Sequence, residues 1–243
     1  FEIPGKDLKK LITQTVFAAA KASTRYAFNG VLMVAKGKAI TCVSTDGHRL
    51  AQARCELATA AKGEKDGLRA IVPVKALGLI DRLIDNPEDA VGFQIRENQI
   101  IVRTPHATLT STLVEGQFPP YEDVIPKDPD RKIQVNAADF ASAVRRAALV
   151  TTEESKGVRM KFGKSGLVLS SHSPIAGEST VNFPCKYDGP EFEIGFNPAY
   201  LNDALKVVSS DEVSFELTAP NRPGLLRAGQ DFVYVIMPVN LQA

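Results

Sequence analysis

Leu8, Leu11, Ile12, Val16 and Ala19 recur at helical spacing over residues 6–22, so the chain opens with an amphipathic helix, with Asp7 as its expected cap. The period then changes to two. Residues 30–35, 39–45 and 48–55 read as three strands joined by the turn signals Lys36-Gly37 and Asp46-Gly47, a helix feeding a β-meander. A strand at 68–72 enters a second helix through Pro73, with Leu77, Ile80, Leu83 and Ile84 on one face and an end at Asn86-Pro87. Strands at 90–95, 99–103 and 107–114 complete this part of the chain.

After Phe118-Pro119-Pro120-Tyr121 and the charged stretch Pro126-Lys127-Asp128-Pro129-Asp130-Arg131, the same order of elements begins again. Ile133-Gln134-Val135-Asn136 and Asp139 answer Phe1-Glu2-Ile3-Pro4 and Asp7, and Gly157-Val158-Arg159-Met160 answers Gly30-Val31-Leu32-Met33. Glu193-Ile194-Gly195-Phe196-Asn197-Pro198 leads into a helix with Leu201, Ala204, Leu205 and Val208 apolar, as residues 70–73 lead into the second helix. Four strand, helix and meander units emerge. The expected fold class is α+β in two domains, residues 1–126 and 133–243, with 127–132 as linker.

Composition narrows the function classes. With 243 residues, 44% of them apolar, the chain can bury one large core or two ordinary ones. Lysine and arginine number 29 against 28 acids, and a net charge of +1 creates no long-range field for an anionic polymer, so any nucleic-acid role rests on local patterning. Cys42, Cys55 and Cys185 lack zinc-site spacing and read as reduced core residues of a cytoplasmic protein; no metal or cofactor is expected. No apolar run approaches the roughly 20 residues of a membrane helix. The start Phe1-Glu2-Ile3-Pro4 is not a signal peptide and has no initiator methionine, so either a processed chain or, as the preferred reading, a fragment lacking its natural N-terminal part is expected.

Local patterning appears on the helices. Their apolar stripes must face the sheets, which leaves Lys9, Lys10 and Lys21 on the first, Lys75 and Arg82 on the second, Arg145 and Arg146 on the third and Lys206 on the fourth. Lysine and arginine are good helix formers, and solvation explains any one of them. Recurrence on all four carries the alternative, sequence-independent contact with duplex phosphates, although Asp81 and Asp85 dilute the second helix. No aromatic residues interleave, which argues against base stacking.

Catalysis has one candidate place. Thr45-Asp46-Gly47-His48-Arg49-Leu50 gathers an acid, an imidazole and a guanidinium around a turn. His106 follows Pro105 in a turn, and His172 lies among Ser170, Ser171 and Ser173, so neither has chemical neighbours. Adjacent side chains of an extended strand point to opposite faces, and the chain has no nucleophile elbow, phosphate loop or dinucleotide fingerprint. A hydrolytic enzyme using Asp46, His48 and Arg49 is therefore the second choice.

Several segments together resemble one family, the β subunit or sliding clamp of bacterial DNA polymerase III. They are Arg25-Tyr26-Ala27-Phe28-Asn29-Gly30, Ser44-Thr45-Asp46-Gly47-His48-Arg49-Leu50-Ala51, Glu115-Gly116-Gln117-Phe118-Pro119-Pro120-Tyr121 with Val124-Ile125-Pro126, Lys156-Gly157-Val158-Arg159-Met160, Glu193-Ile194-Gly195-Phe196-Asn197 and Tyr234-Val235-Ile236-Met237-Pro238. They run through the chain in family order and match the second and third of the family's three domains. The resemblance implies the DNA-clamp fold and a non-catalytic processivity factor, a head-to-tail homodimer ring around duplex DNA with helices lining the hole. Without a first domain, these two are not expected to close that ring.

The resemblance also implies a pocket between the second and third domains where polymerases, the clamp loader and repair proteins dock short peptides. Thr45, Gly47, His48, Arg49 and Leu50 match one wall, with Phe28 where leucine is commoner and Arg25 at the margin. Pro119 and Val124 match further positions. Asn197 and Tyr200 match the third-domain side, and Val235, Ile236, Met237, Pro238 and Val239 the carboxyl-terminal strand. Asn240 stands where the family often has arginine, and Leu241-Gln242-Ala243 extends past the usual end.

Overall fold

The computed structural model describes residues 1–22, 26–61, 67–152 and 157–240. The chain forms two compact units, Phe1–Tyr121 and Glu122–Ala243, where the sequence suggested an end at 126 and a linker to 132. Arg131 and Lys132 already belong to a strand.

In the first unit, β1 (Glu2–Pro4) runs into α1 (Gly5–Thr15), followed by β2 (Gly30–Thr45), β3 (Arg49–Ala61), β4 (Leu68–Pro73), α2 (Val74–Leu83), β5 (Ala90–Arg96), β6 (Gln99–Arg103) and β7 (Thr108–Thr112). Strands β1-β5-β6-β7 form one antiparallel sheet, and β4-β2-β3 hydrogen-bond side by side. The two helices pack together and against the sheets, burying Leu8, Leu11, Leu77 and Ile80. That is the 3.6-residue apolar face of the sequence turned inward.

Lys36-Gly37 was expected to be a turn and is not one. β2 is a continuous 16-residue strand that pairs with β4 through residues 30–35 and with β3 from Gly37 onward, and its register shifts between Gly37 and Ala39. Gly37 has φ +57°, accessible to glycine without the steric cost of a Cβ, so the strand bulges and changes partner instead of reversing.

The first helix is shorter than its periodicity suggested. α1 stops at Thr15, Val16–Ala18 tighten into a 3-10 turn, and Lys21 lies beyond both. Asp7 sits inside the first turn, and Pro4 occupies the cap position without a side-chain bond. The early end has a cause in the strands: the Ser44 hydroxyl donates to the Thr15 carbonyl at 2.5 Å, and Arg49 donates to the Phe17 carbonyl at 2.8 Å. Both carbonyls are satisfied from outside the helix.

The second unit repeats the plan with β8 (Arg131–Asn136), α3 (Ala137–Ala147), β9 (Val158–Gly163), β10 (Gly166–Ser173), β11 (Gly177–Phe183), β12 (Phe192–Phe196), α4 (Pro198–Val207), β13 (Glu212–Leu217), β14 (Gly224–Ala228) and β15 (Phe232–Ile236). Its antiparallel sheets run β11-β10-β9-β12 and β15-β14-β13-β8. Asn136 caps α3 by accepting from the Asp139 amide, and Asn197 caps α4 by accepting from the Ala199 amide at 2.9 Å. Phe140 and Phe196 bracket Phe215, with centroids 5.8 and 5.6 Å away, in a buried aromatic core.

Cys42 is buried, and burial, with Cys55 beside it, pushes its thiol well above the usual range. Alkylation of Cys42 is therefore expected to follow global unfolding, with rates that rise in parallel with the unfolded fraction in denaturant. Rapid labelling of the native chain at Cys42, read by mass spectrometry, would contradict that burial.

Candidate functional site

Residues 45–50 form a tight reversal between β2 and β3, with Thr45 paired to Leu50. The Thr45 hydroxyl donates to the Arg49 carbonyl at 2.6 Å and accepts from the Gly47 amide at 3.1 Å. Asp46 Oδ1 accepts from the amides of His48 and Arg49 at 2.9 and 3.0 Å. Gly47 takes φ +92°, a conformation that disfavours any residue with a Cβ, and a Cβ there would meet the Phe28 ring at 3.8 Å. Phe28 and Gly47, 19 positions apart in the sequence, are thus brought together.

Chemistry at this turn is constrained by the same bonds. Asp46 Oδ2 accepts from Arg49 Nε at 3.0 Å, so both oxygens of the carboxylate serve the turn itself rather than the His48 imidazole. His48 is exposed. The expected alternative, a hydrolytic site using Asp46, His48 and Arg49, finds no support: acid and guanidinium are mutually engaged and the imidazole has no orienting partner among the described residues. Among those residues no group of three histidine, cysteine, aspartate or glutamate side chains could hold a metal ion, and no helix is long and apolar enough to cross a membrane.

Leu50 and Phe28 are buried, as are Val235 and Ile236 on β15, whereas Met237 is 39% exposed. Tyr200, on α4, is tied to β15 through its carbonyl, which accepts from the Tyr234 hydroxyl at 2.9 Å. Past the strand, Pro238 and Val239 are half-buried, and the Val239 amide donates to the Gly195 carbonyl at 2.9 Å, laying the tail beside β12. Asn197, Tyr200 and residues 235–239 therefore form one neighbourhood in the second unit. Pro119 lies at the end of the first unit, and the exposed Val124 closes a 3-10 turn in the second. Arg25 and residues 241–243 lie outside the described residues.

Two clefts hold none of these residues. One, of about 550 Å³, is lined by Leu32, Arg69, Ile71, Asn98, Val114 and Phe118; the other, of about 330 Å³, lies between Asn136, Asp139, Arg146 and Phe183.

The basic helix residues divide into free and engaged. Lys10, Lys75, Arg82, Arg145 and Arg146 are exposed. Lys9 on α1 instead reaches α2, where its Nζ donates to the Asp81 carbonyl at 2.6 Å and to Oδ1 at 3.4 Å. Lys206 pairs loosely with Asp203 at 4.0 Å. The contacts missed by the sequence reading, the Phe17 and Thr15 carbonyls, are backbone atoms that no side-chain identity advertises.

Comparison with known proteins follows the same division into two units. The sequence model for the DNA polymerase III beta subunit central domain matches residues 2–120, and that for its C-terminal domain matches residues 122–240. The chain belongs to the DNA polymerase III beta subunit family. A beta sliding clamp of Pseudomonas aeruginosa is 34% identical over 99% of the chain, and that of Escherichia coli K12 is 32% identical over the same share. The chain spans 65% of the length of each. The crystal structure of the Pseudomonas aeruginosa subunit superposes with a TM-score of 0.94 at 32% identity, covering 99% of this chain and 66% of that one. A sliding clamp structure from Bacillus subtilis gives 0.91 at 31% identity, covering 98% and 63%. The beta subunit fold is thus present in both units, α+β throughout.

Proposed function

We propose that the chain works as the central and C-terminal parts of a DNA sliding clamp, a non-catalytic, cytoplasmic processivity factor. In the full-length protein two subunits would join head to tail in a ring around duplex DNA. The observation that carries this is the beta sliding clamp match through both units at once, with the same helix-on-sheet repeat in each. Exposed cations on helices of both units support sequence-independent phosphate contact, which leaves a topologically held ring free to slide. Processivity then follows from effective concentration, since a tethered polymerase cannot diffuse away from its template. The decisive test is retention of the full-length protein on nicked circular duplex and its rapid loss when the circle is linearised. Equal retention on both would remove the topological reading.

We further propose that the turn at residues 45–50 and the tail at 235–239 each contact a short peptide from polymerase subunits, the clamp loader or repair proteins. The exposed thioether of Met237 is an adaptable apolar surface for such a ligand. A labelled peptide with glutamine followed by spaced leucine and phenylalanine is expected to bind, and Met237→Ala to weaken it about tenfold with little loss of stability, read by fluorescence anisotropy. No measurable binding by the unaltered chain would sink the docking role.

Lys9 offers a smaller test. With its ammonium held by Asp81, Lys9→Ala is expected to change duplex binding by less than about twofold. Asp81→Asn, by loosening that hold and removing a negative charge, is expected to strengthen duplex binding at low salt. A filter-binding titration of the full-length ring checks both.

A further inference from the structure

We infer that Arg49 acts as a positioning residue, holding the docking turn in place through Asp46 and the Phe17 carbonyl rather than meeting the visiting peptide itself. The inference rests on the docking role proposed above and changes the part Arg49 plays in it.

The geometry is that of a side chain already spent. Arg49 Nε donates to Asp46 Oδ2 at 3.0 Å, and a terminal nitrogen donates to the Phe17 carbonyl at 2.8 Å. The guanidinium carbon lies 5.6 Å from the centroid of the Phe17 ring, within cation–π range. Only 9% of the Arg49 side chain and 16% of the Asp46 side chain reach solvent. A guanidinium withdrawn from water and bonded on two sides is held by charge-assisted bonds stronger than those of an exposed pair. A peptide acid would have to displace one of them to gain one.

What Arg49 holds is the turn. Asp46 receives Arg49 on one carboxylate oxygen and the amides of His48 and Arg49 on the other. Thr45 meanwhile receives the Gly47 amide. Every amide from Gly47 to Arg49 is thereby consumed within the turn, and the Arg49–Phe17 bond ties the whole reversal to the segment that follows α1. Left outward are the exposed imidazole of His48 and the bare face of Gly47 beside the Phe28 ring. Those are the surfaces on which peptide preference depends. An acidic group on the peptide gains nothing from Arg49.

The test measures peptide affinity by anisotropy for Arg49→Ala, Arg49→Lys, Asp46→Asn and the Asp46→Ala/Arg49→Ala pair, against a series of peptides with each side chain truncated in turn. Amide hydrogen exchange at residues 47–49 is followed in the free chain, and thermal unfolding verifies that each variant folds. Arg49→Ala is expected to weaken every peptide by a common factor of about ten, and the double variant, which also loses the Asp46 acceptor of the His48 and Arg49 amides, to weaken every peptide by a common factor at least as large. Arg49→Lys is expected not to rescue, since an ammonium cannot span both acceptors. Exchange at Gly47, His48 and Arg49 should accelerate without any peptide present, and Asp46→Asn, which keeps an amide acceptor but loses the ion pair, should fall between. A loss confined to one truncated peptide would overturn the inference in favour of direct contact, as would unchanged affinity together with unchanged exchange. If the unaltered chain binds no peptide, the docking role fails, and the exchange data still decide whether Asp46 and Arg49 hold the turn.

Discussion

Leu50→Asp is expected to unfold the first unit rather than produce a folded chain with an altered docking surface. Leu50 is 4% exposed and is the second residue of β3, next to Ala51, which is fully buried. An aspartate there would bury a carboxylate with no new partner, at several kcal/mol, a large share of the about 5–15 kcal/mol that stabilises an ordinary domain. Circular dichroism should show the first unit losing its cooperative transition, and Leu50→Ala, which removes volume without adding charge, should cost about 2–4 kcal/mol. A Leu50→Asp chain with an unchanged melting temperature would show that the site tolerates charge and is not core. Met237→Ala is the better probe of binding, because an exposed side chain can be truncated without opening a cavity.

Replacing Arg145 and Arg146 together by alanine in the full-length ring should produce the largest loss of duplex affinity among the helix cations. Both lie exposed in the last turn of α3, and neither forms an ion pair among the described residues. If each neutralises one phosphate, the slope of log affinity against log salt should fall by about 2, with a weakening of about tenfold or more at low salt. Sequence preference and peptide affinity should not move. α3 itself should lose about 0.3–1 kcal/mol per cation, because positive charge favours a helix C-terminus. An unchanged salt slope would take this helix end off the DNA-contacting surface.

Much of the architecture could be read from periodicity, and the exceptions have physical causes. Residues 90–95, 99–103 and 133–136 sit in strands as expected, because alternation and flanking turn residues agree there. The first helix was overextended because Val16 and Ala19 keep the apolar spacing, while its end is set by hydroxyl and guanidinium donors from β2 and the turn. Lys36-Gly37 carries a turn signature that the structure spends on a bulge; only the partner change from β4 to β3 distinguishes the two. At the candidate site, the residue types were visible and their roles were not. Asp46 and Arg49 are three positions apart and invite a chemical reading, yet their bonds run inward to amides and to a carbonyl 32 residues away. Phe28 beside Gly47 required the fold as well.

The bond from Ser44 to the Thr15 carbonyl has a counterpart in the second unit, where the Ser171 hydroxyl donates to the Ala147 carbonyl at 2.5 Å. Donor and acceptor differ in how freely they can drift. The hydroxyl must stay, but the acceptor is main chain, so threonine in one copy and alanine in the other serve equally. The Val114 amide on the Ile71 carbonyl and the Val239 amide on the Gly195 carbonyl form a second such pair, with no side chain required on either side. Two units joined in this way can differ in nearly every side chain at the joint and still keep it, because the acceptor is main chain in both. Grafting α1 in place of α3, or the reverse, should therefore preserve these joints even where few residues agree.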